Sequence, residues 1–143
     1  MSVAAILLPV FVLVFLAFAL LLLLGGRRKA ALAAGEVDLE QAPLDDRAWP
    51  ASVRQASNAF RNQFELPVLF YAVVTLALVT RKADIGFVVL SWIFVLSRFG
   101  QAFVHVTSND VRWRFLSFVI GFGALVLMWV LFALAILLAP VIP

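Results

Sequence analysis

The sequence predicts an all-α membrane protein, an antiparallel bundle of four transmembrane helices. Three observations carry that expectation. First, 65% of the 143 residues are hydrophobic and only 13% are charged, against about 45–50% apolar and about 25% charged in soluble domains. Second, the mean hydropathy is +1.10. Third, the charges leave four uncharged runs, two of them longer than the ~20 residues that a spanning helix needs. A soluble globular domain, a disordered chain and a disulfide scaffold are excluded. The length predicts a single domain over residues 1–143. With no Cys in the chain, disulfides, thiolate metal sites and a cysteine nucleophile are excluded too.

The first span is expected over residues 2–26, from the uncharged run Ser2–Gly26. A signal-peptide core is only about 7–15 residues long and follows a basic stretch. This run is longer, follows no basic residue and precedes Arg27-Arg28-Lys29, so an uncleaved helix is expected. Gly25-Gly26 reads as its end. A solvated, mobile loop of mixed charge is expected over 27–49. The second span is expected over 50–80, with Pro50 in its first turn. At ~1.5 Å per residue it would measure roughly 45 Å and project into water, with a kink at Pro67. The third is expected over 84–106 and the fourth over 110–139, joined by the turn and cap residues Thr107-Ser108-Asn109-Asp110. Gly121 and Gly123 read as a packing seam. No internal repeat is visible, which disfavours a transporter.

Charge placement sets orientation. Nine basic residues flank the first loop and the third–fourth junction, whereas the second–third turn carries only Arg81 and Lys82. The positive-inside rule makes the basic end cytoplasmic and puts both termini outside the cytoplasm, in an inner or plasma membrane. The same clustering beside apolar runs explains the sequence pI of about 10.2, so no nucleic-acid partner is expected.

Two polar stripes interrupt the apolar pattern. Arg54, Asn58, Asn62 and Glu65 are spaced 4, 4 and 3 on the second span, which is one helical face. Glu65 adjoins the hydrocarbon and needs a partner, for which Arg98, Arg61 or a neighbouring subunit is available. Arg98, Gln101 and His105 are spaced 3 and 4 on the third span and should face the bundle interior or a subunit interface. A lone His without a paired-His motif gives no metal site; hydrogen bonding is the role expected of His105. Arg112 and Arg114 fall in the first turn of the fourth span, where the helix dipole disfavours cations. Topology and phospholipid headgroups account for Arg114, while Arg112 is a candidate anion-binding group.

Asn58-Ala-Phe-Arg-Asn62-Gln-Phe-Glu65-Leu-Pro67, followed by Arg98 and Arg112, resembles the MAPEG family, the membrane-associated proteins in eicosanoid and glutathione metabolism. The resemblance covers nearly the whole chain. It implies a four-helix subunit in a homotrimer, with glutathione as co-substrate bound between neighbouring subunits near the cytoplasmic side. Asn62 and Glu65 match glutathione-binding residues of the second helix. Arg27 and Arg28 sit where first-helix arginines contact glutathione or the second substrate, and Arg112 matches the arginine associated with thiolate stabilisation, the catalytic candidate. Asn58 stands where transferase members often carry Arg, with Arg54 one turn earlier. Leu66, Gln101 and His105 stand where some members carry Tyr. Arg98 completes the expected glutathione set. The resemblance implies a glutathione transferase or peroxidase acting on lipophilic electrophiles; the alternative is a non-catalytic membrane module that binds a lipid or a partner protein.

Overall fold

The computed structural model describes residues 1–139, so the end of the Phe115–Pro143 run lies outside the described residues. Among the described residues all regular structure is helical: α1 Val3–Ala33, α2 Ala51–Arg61, α3 Leu66–Val79, α4 Ile85–Val106 and α5 Val111–Leu137, with 3-10 turns at Asp46–Ala48 and Asn62–Phe64. They form four segments long and apolar enough to cross a membrane: α1, Ala51–Val79, α4 and α5.

Helix α1 begins where the Ser2 hydroxyl accepts the Ala5 N–H at 3.2 Å. It does not stop at Gly25-Gly26. Both glycines lie inside it with open space around them, because the following Arg, Lys, Ala and Leu residues are strong helix formers. The stop is Gly35, at φ +69°. The Gly35 N–H donates to Leu32 O at 3.1 Å and the Glu36 N–H to Ala31 O at 3.1 Å, the paired bonds of a Schellman ending. The loop that follows is mostly exposed, yet it is pinned. Trp49 Nε1 donates to Ala42 O at 3.4 Å, and the Arg28 guanidinium lies 5.1 Å from the Trp49 ring centre.

The second span is two helices, not one kinked helix. Glu65 has φ −100° and ψ −106°, outside the helical region. A continuous helix would have asked Pro67 for an N–H toward Gln63 O and driven its ring against that carbonyl. Breaking before Pro67 instead sets the proline in the first turn of α3, where no N–H is required. The buried Gln63 turns its side-chain Nε2 back onto Ala59 O at 3.2 Å.

The core takes a fully buried side chain from each span: Leu13, Phe70, Phe94 and Met128. Phe70 and Phe94 stack with ring centres 4.8 Å apart. A second cluster, Leu24, Ala31, Val53 and Ala56, fixes the extended end of α1 against α2. Phe11, Phe15, Phe18 and Leu22 run along the opposite side of α1 and are exposed, a stripe at helical spacing suited to lipid. One end of the bundle is tied by Arg27, whose Nη1 donates to Ser52 O at 2.7 Å and Nη2 to Val106 O at 2.8 Å. The first loop and the α4–α5 turn therefore share one end, while Arg81 and Lys82 follow α3 at the other.

Candidate functional site

Helix α4 delivers its polar stripe inward. Arg98, Gln101 and His105 are 2%, 9% and 3% exposed, facing the bundle as their spacing predicts. Their packing explains why α4 tolerates them: the charge of Arg98 is sandwiched, with its Cζ 5.5 Å from the ring centres of both Phe94 and Phe118. Its Nε and Nη2 have no hydrogen-bond partner.

The expected Arg98–Glu65 ion pair is not made. The break before Pro67 takes Glu65 off the helical face that it shares with Asn62 in a continuous helix, and its side chain is exposed. The only salt bridge among the described residues is Arg61–Asp46, at 2.7 Å and 60% and 47% exposed. A surface pair of that kind is worth about 0–1 kcal/mol.

Asn62, in the 3-10 turn at the break, brings its Nδ2 within 3.5 Å of His105 Nδ1. With the amide donating, the imidazole keeps its proton on Nε2. His105 thus hydrogen-bonds, as expected. The break places Asn62 against α4, so the two spans meet at a polar junction made of Asn62, Gln101 and His105 with Arg98 deeper in the bundle.

The other candidate residues lie elsewhere. Arg54 and Asn58 are exposed on α2 and line a shallow depression with Gln55 and Asn109. Arg27 spends two donors on backbone carbonyls, and Arg28 covers Trp49 with its Nε buried and unpartnered. Arg112 is exposed at the start of α5, its backbone N–H capped by Asp110 Oδ1 at 2.8 Å.

Two residues near the junction carry more than the sequence reading gives them. Gln63 is 4% exposed with an unpartnered Oε1. Arg114 is half-buried, donates from Nη1 to Asn109 Oδ1 at 2.8 Å and leaves its Nε buried without a partner. A signal for Arg114 exists: Arg114, Phe118, Gly121, Leu125 and Met128 are spaced 4, 3, 4 and 3, and the last three are buried. Arg112 is two residues out of that register.

Chemically, the junction is a cationic, donor-rich cluster buried in an apolar bundle. Carboxylate and amide oxygens suit it, because free guanidinium N–H groups bind such acceptors strongly where water is scarce. No curated protein and no solved structure matches the chain. One family model, described as the MAPEG family, matches residues 6–134, taking in every helix that builds the junction, and the chain belongs to that family.

Proposed function

We propose that the protein is a membrane-embedded glutathione transferase or peroxidase-like enzyme that acts on lipophilic electrophiles, at a site between neighbouring subunits of a homotrimer near the cytoplasmic side. The observation that carries this reading is the buried Arg98, with two N–H-bearing nitrogens unpartnered, beside Asn62, Gln101 and His105. A buried guanidinium without a counter-charge costs free energy unless an anion or a neighbouring chain completes it, and a peptide bearing carboxylates fits that need. Asn62, Gln101 and His105 would hold its amide and carboxylate groups, with Glu65, Asn58 and Arg54 contributing from the exposed side of the second span. Arg112, exposed in the single chain, suits a position at a subunit boundary, where its charge would favour a thiolate over the thiol. The electrophile would arrive by partition into the bilayer along the apolar surfaces of α1 and α5.

The charge pattern supports an orientation with both termini outside the cytoplasm of an inner or plasma membrane, since nine basic residues gather at the end tied by Arg27. A second reading, a non-catalytic module that binds a lipid or a partner protein, is favoured by Arg27 and Arg28, whose groups already serve carbonyls and Trp49. Calorimetric titration of the detergent-purified protein with glutathione, followed by thiol conjugation to an aryl halide and reduction of a lipid hydroperoxide, separates the two. Saturable binding with turnover is expected. Binding without turnover across the panel would favour the second reading, and absence of binding would reject glutathione as the ligand.

A further inference from the structure

A groove of about 210 Å³ runs between α4 and α5, lined by Gln101, Val111, Arg114, Phe115 and Phe118. Its polar lining residues are Gln101 on α4 and Arg114 in the first turn of α5, toward the same end of the bundle as most of the basic residues. Its walls continue toward the membrane interior through Phe118, which stacks on the half-exposed Phe122 at 6.1 Å. Val111 and Phe115 are 72% and 66% exposed, so the groove opens sideways onto the apolar face of α5.

Its charge is uncompensated. No carboxylate lies within ion-pair distance of Arg114 among the described residues. Its one partner is the neutral amide of Asn109, and its Nε is buried without an acceptor. Phe118 forms part of the groove wall and also lies 5.5 Å from the Cζ of Arg98, itself 2% exposed and unpartnered at Nε and Nη2. Two guanidinium groups therefore bias one small groove toward an oxyanion. Pockets that enclose a whole drug-sized ligand run about 300–1,000 Å³. This one is smaller, large enough for a head group but not for its chains, which would lie outside along α5.

We propose that the α4–α5 groove binds the phosphate of an anionic phospholipid from the surrounding bilayer, with Arg114 and Gln101 at the head group and Phe115 and Phe118 along the acyl side. Charge complementarity selects an anion, and the sideways opening selects a ligand delivered from the membrane. The general headgroup contact expected of Arg114 thereby becomes a defined groove with a wall of Phe115 and Phe118. The groove shares Gln101 with the residues assigned to glutathione, so its test rests on Arg114 and Val111, which lie outside that set.

Native mass spectrometry of the delipidated protein, titrated with phosphatidylglycerol, phosphatidylcholine or oleate, tests this. Phosphatidylglycerol should bind with at least about fivefold preference over phosphatidylcholine, the factor expected for one interfacial arginine. Arg114→Gln should abolish that preference. Val111→Trp should weaken phosphatidylglycerol binding by filling the mouth of the groove with no change of charge, which keeps the test valid if the arginine variant folds poorly. Equal binding of the two phospholipids, tighter binding of oleate than of phosphatidylglycerol, or an equal loss in Arg112→Gln would overturn the proposal.

Discussion

Gly121 offers a prediction whose two opposing energies can be separated. It lies on α5 against α4, and a Cβ there would strike Ser97 Oγ and come within 3.0 Å of Arg98 Nη2 and 3.3 Å of Arg98 Nε. Neither neighbour yields easily. The Ser97 hydroxyl donates to Phe94 O at 2.6 Å, and the Arg98 guanidinium is held between two aromatic rings. Overpacking of this sort costs about 1–3 kcal/mol. Replacing a helical Gly by Ala also returns about 1 kcal/mol of helix propensity, so Gly121→Ala alone would show only part of the clash. Gly123 supplies the reference, because it is in the same helix with nothing within 4 Å of its Cβ position. Gly123→Ala takes the propensity gain without the clash, and the difference between the variants isolates the contact. Unfolding by SDS titration in mixed micelles, followed by far-UV circular dichroism, should find Gly121→Ala the less stable by about 1–3 kcal/mol. Adding Ser97→Ala should recover part of the deficit, a coupling of about 0.5 kcal/mol or more. Equal stability of the two alanine variants would refute the packing argument.

Arg27→Ala removes both charged donors that join α1 to the backbone of α2 and α4, and should cost about 2 kcal/mol, with faster hydrogen exchange in the last turn of α4. On the proposed function, Arg112→Ala should raise the pKa of the bound thiol. A cation favours the thiolate, so losing it lowers conjugation at neutral pH and lets the rate recover above the raised pKa; a pH-independent loss would contradict thiolate stabilisation. A single Cys at Lys82 should label only from the non-cytoplasmic side and one at Lys29 only from the cytoplasmic side, a clean assay in a chain with no native Cys. Detergent-corrected mass should correspond to three copies of the 15.7 kDa chain, and a monomer in several detergents would count against the homotrimer.

Hydropathy found two of the four spans outright, because an apolar run as long as the hydrocarbon core leaves the chain few alternatives; the other two had to be extended over flanking polar residues. Their ends were harder to read. Gly25-Gly26 carries the composition of a helix stop, but a glycine ends a helix only where the backbone turns left-handed, and that happens at Gly35. Pro67 announced an irregularity without giving its form. A kink and a complete break satisfy the missing N–H equally well at the level of sequence, and they send Glu65 to different places. The inward stripe Arg98-Gln101-His105 was legible since α4 is regular throughout. Arg114 was not, because a basic residue beside a turn already has an explanation in topology, and its register with Gly121 and Met128 gains meaning only once α5 is seen to pack against α4.

The two bonds of Arg27 also bear on how the chain is assembled. They join residues 25 and 79 positions apart along the chain, so α1 is made well before the α4 carbonyl that it binds. On the proposed orientation, the charges of Arg27, Arg28 and Lys29 first serve to hold the loop on the cytoplasmic side. When α4 has been inserted, its last turn arrives with carbonyls that have no intrahelical donor, and the waiting guanidinium closes over Val106 and Ser52 together. On that orientation one side chain does two jobs in succession, first as a topological charge and later as the clasp that joins α1 to α2 and α4. Lysine at this position would preserve the first job and lose most of the second, since a single ammonium cannot reproduce the planar fork that spans both carbonyls.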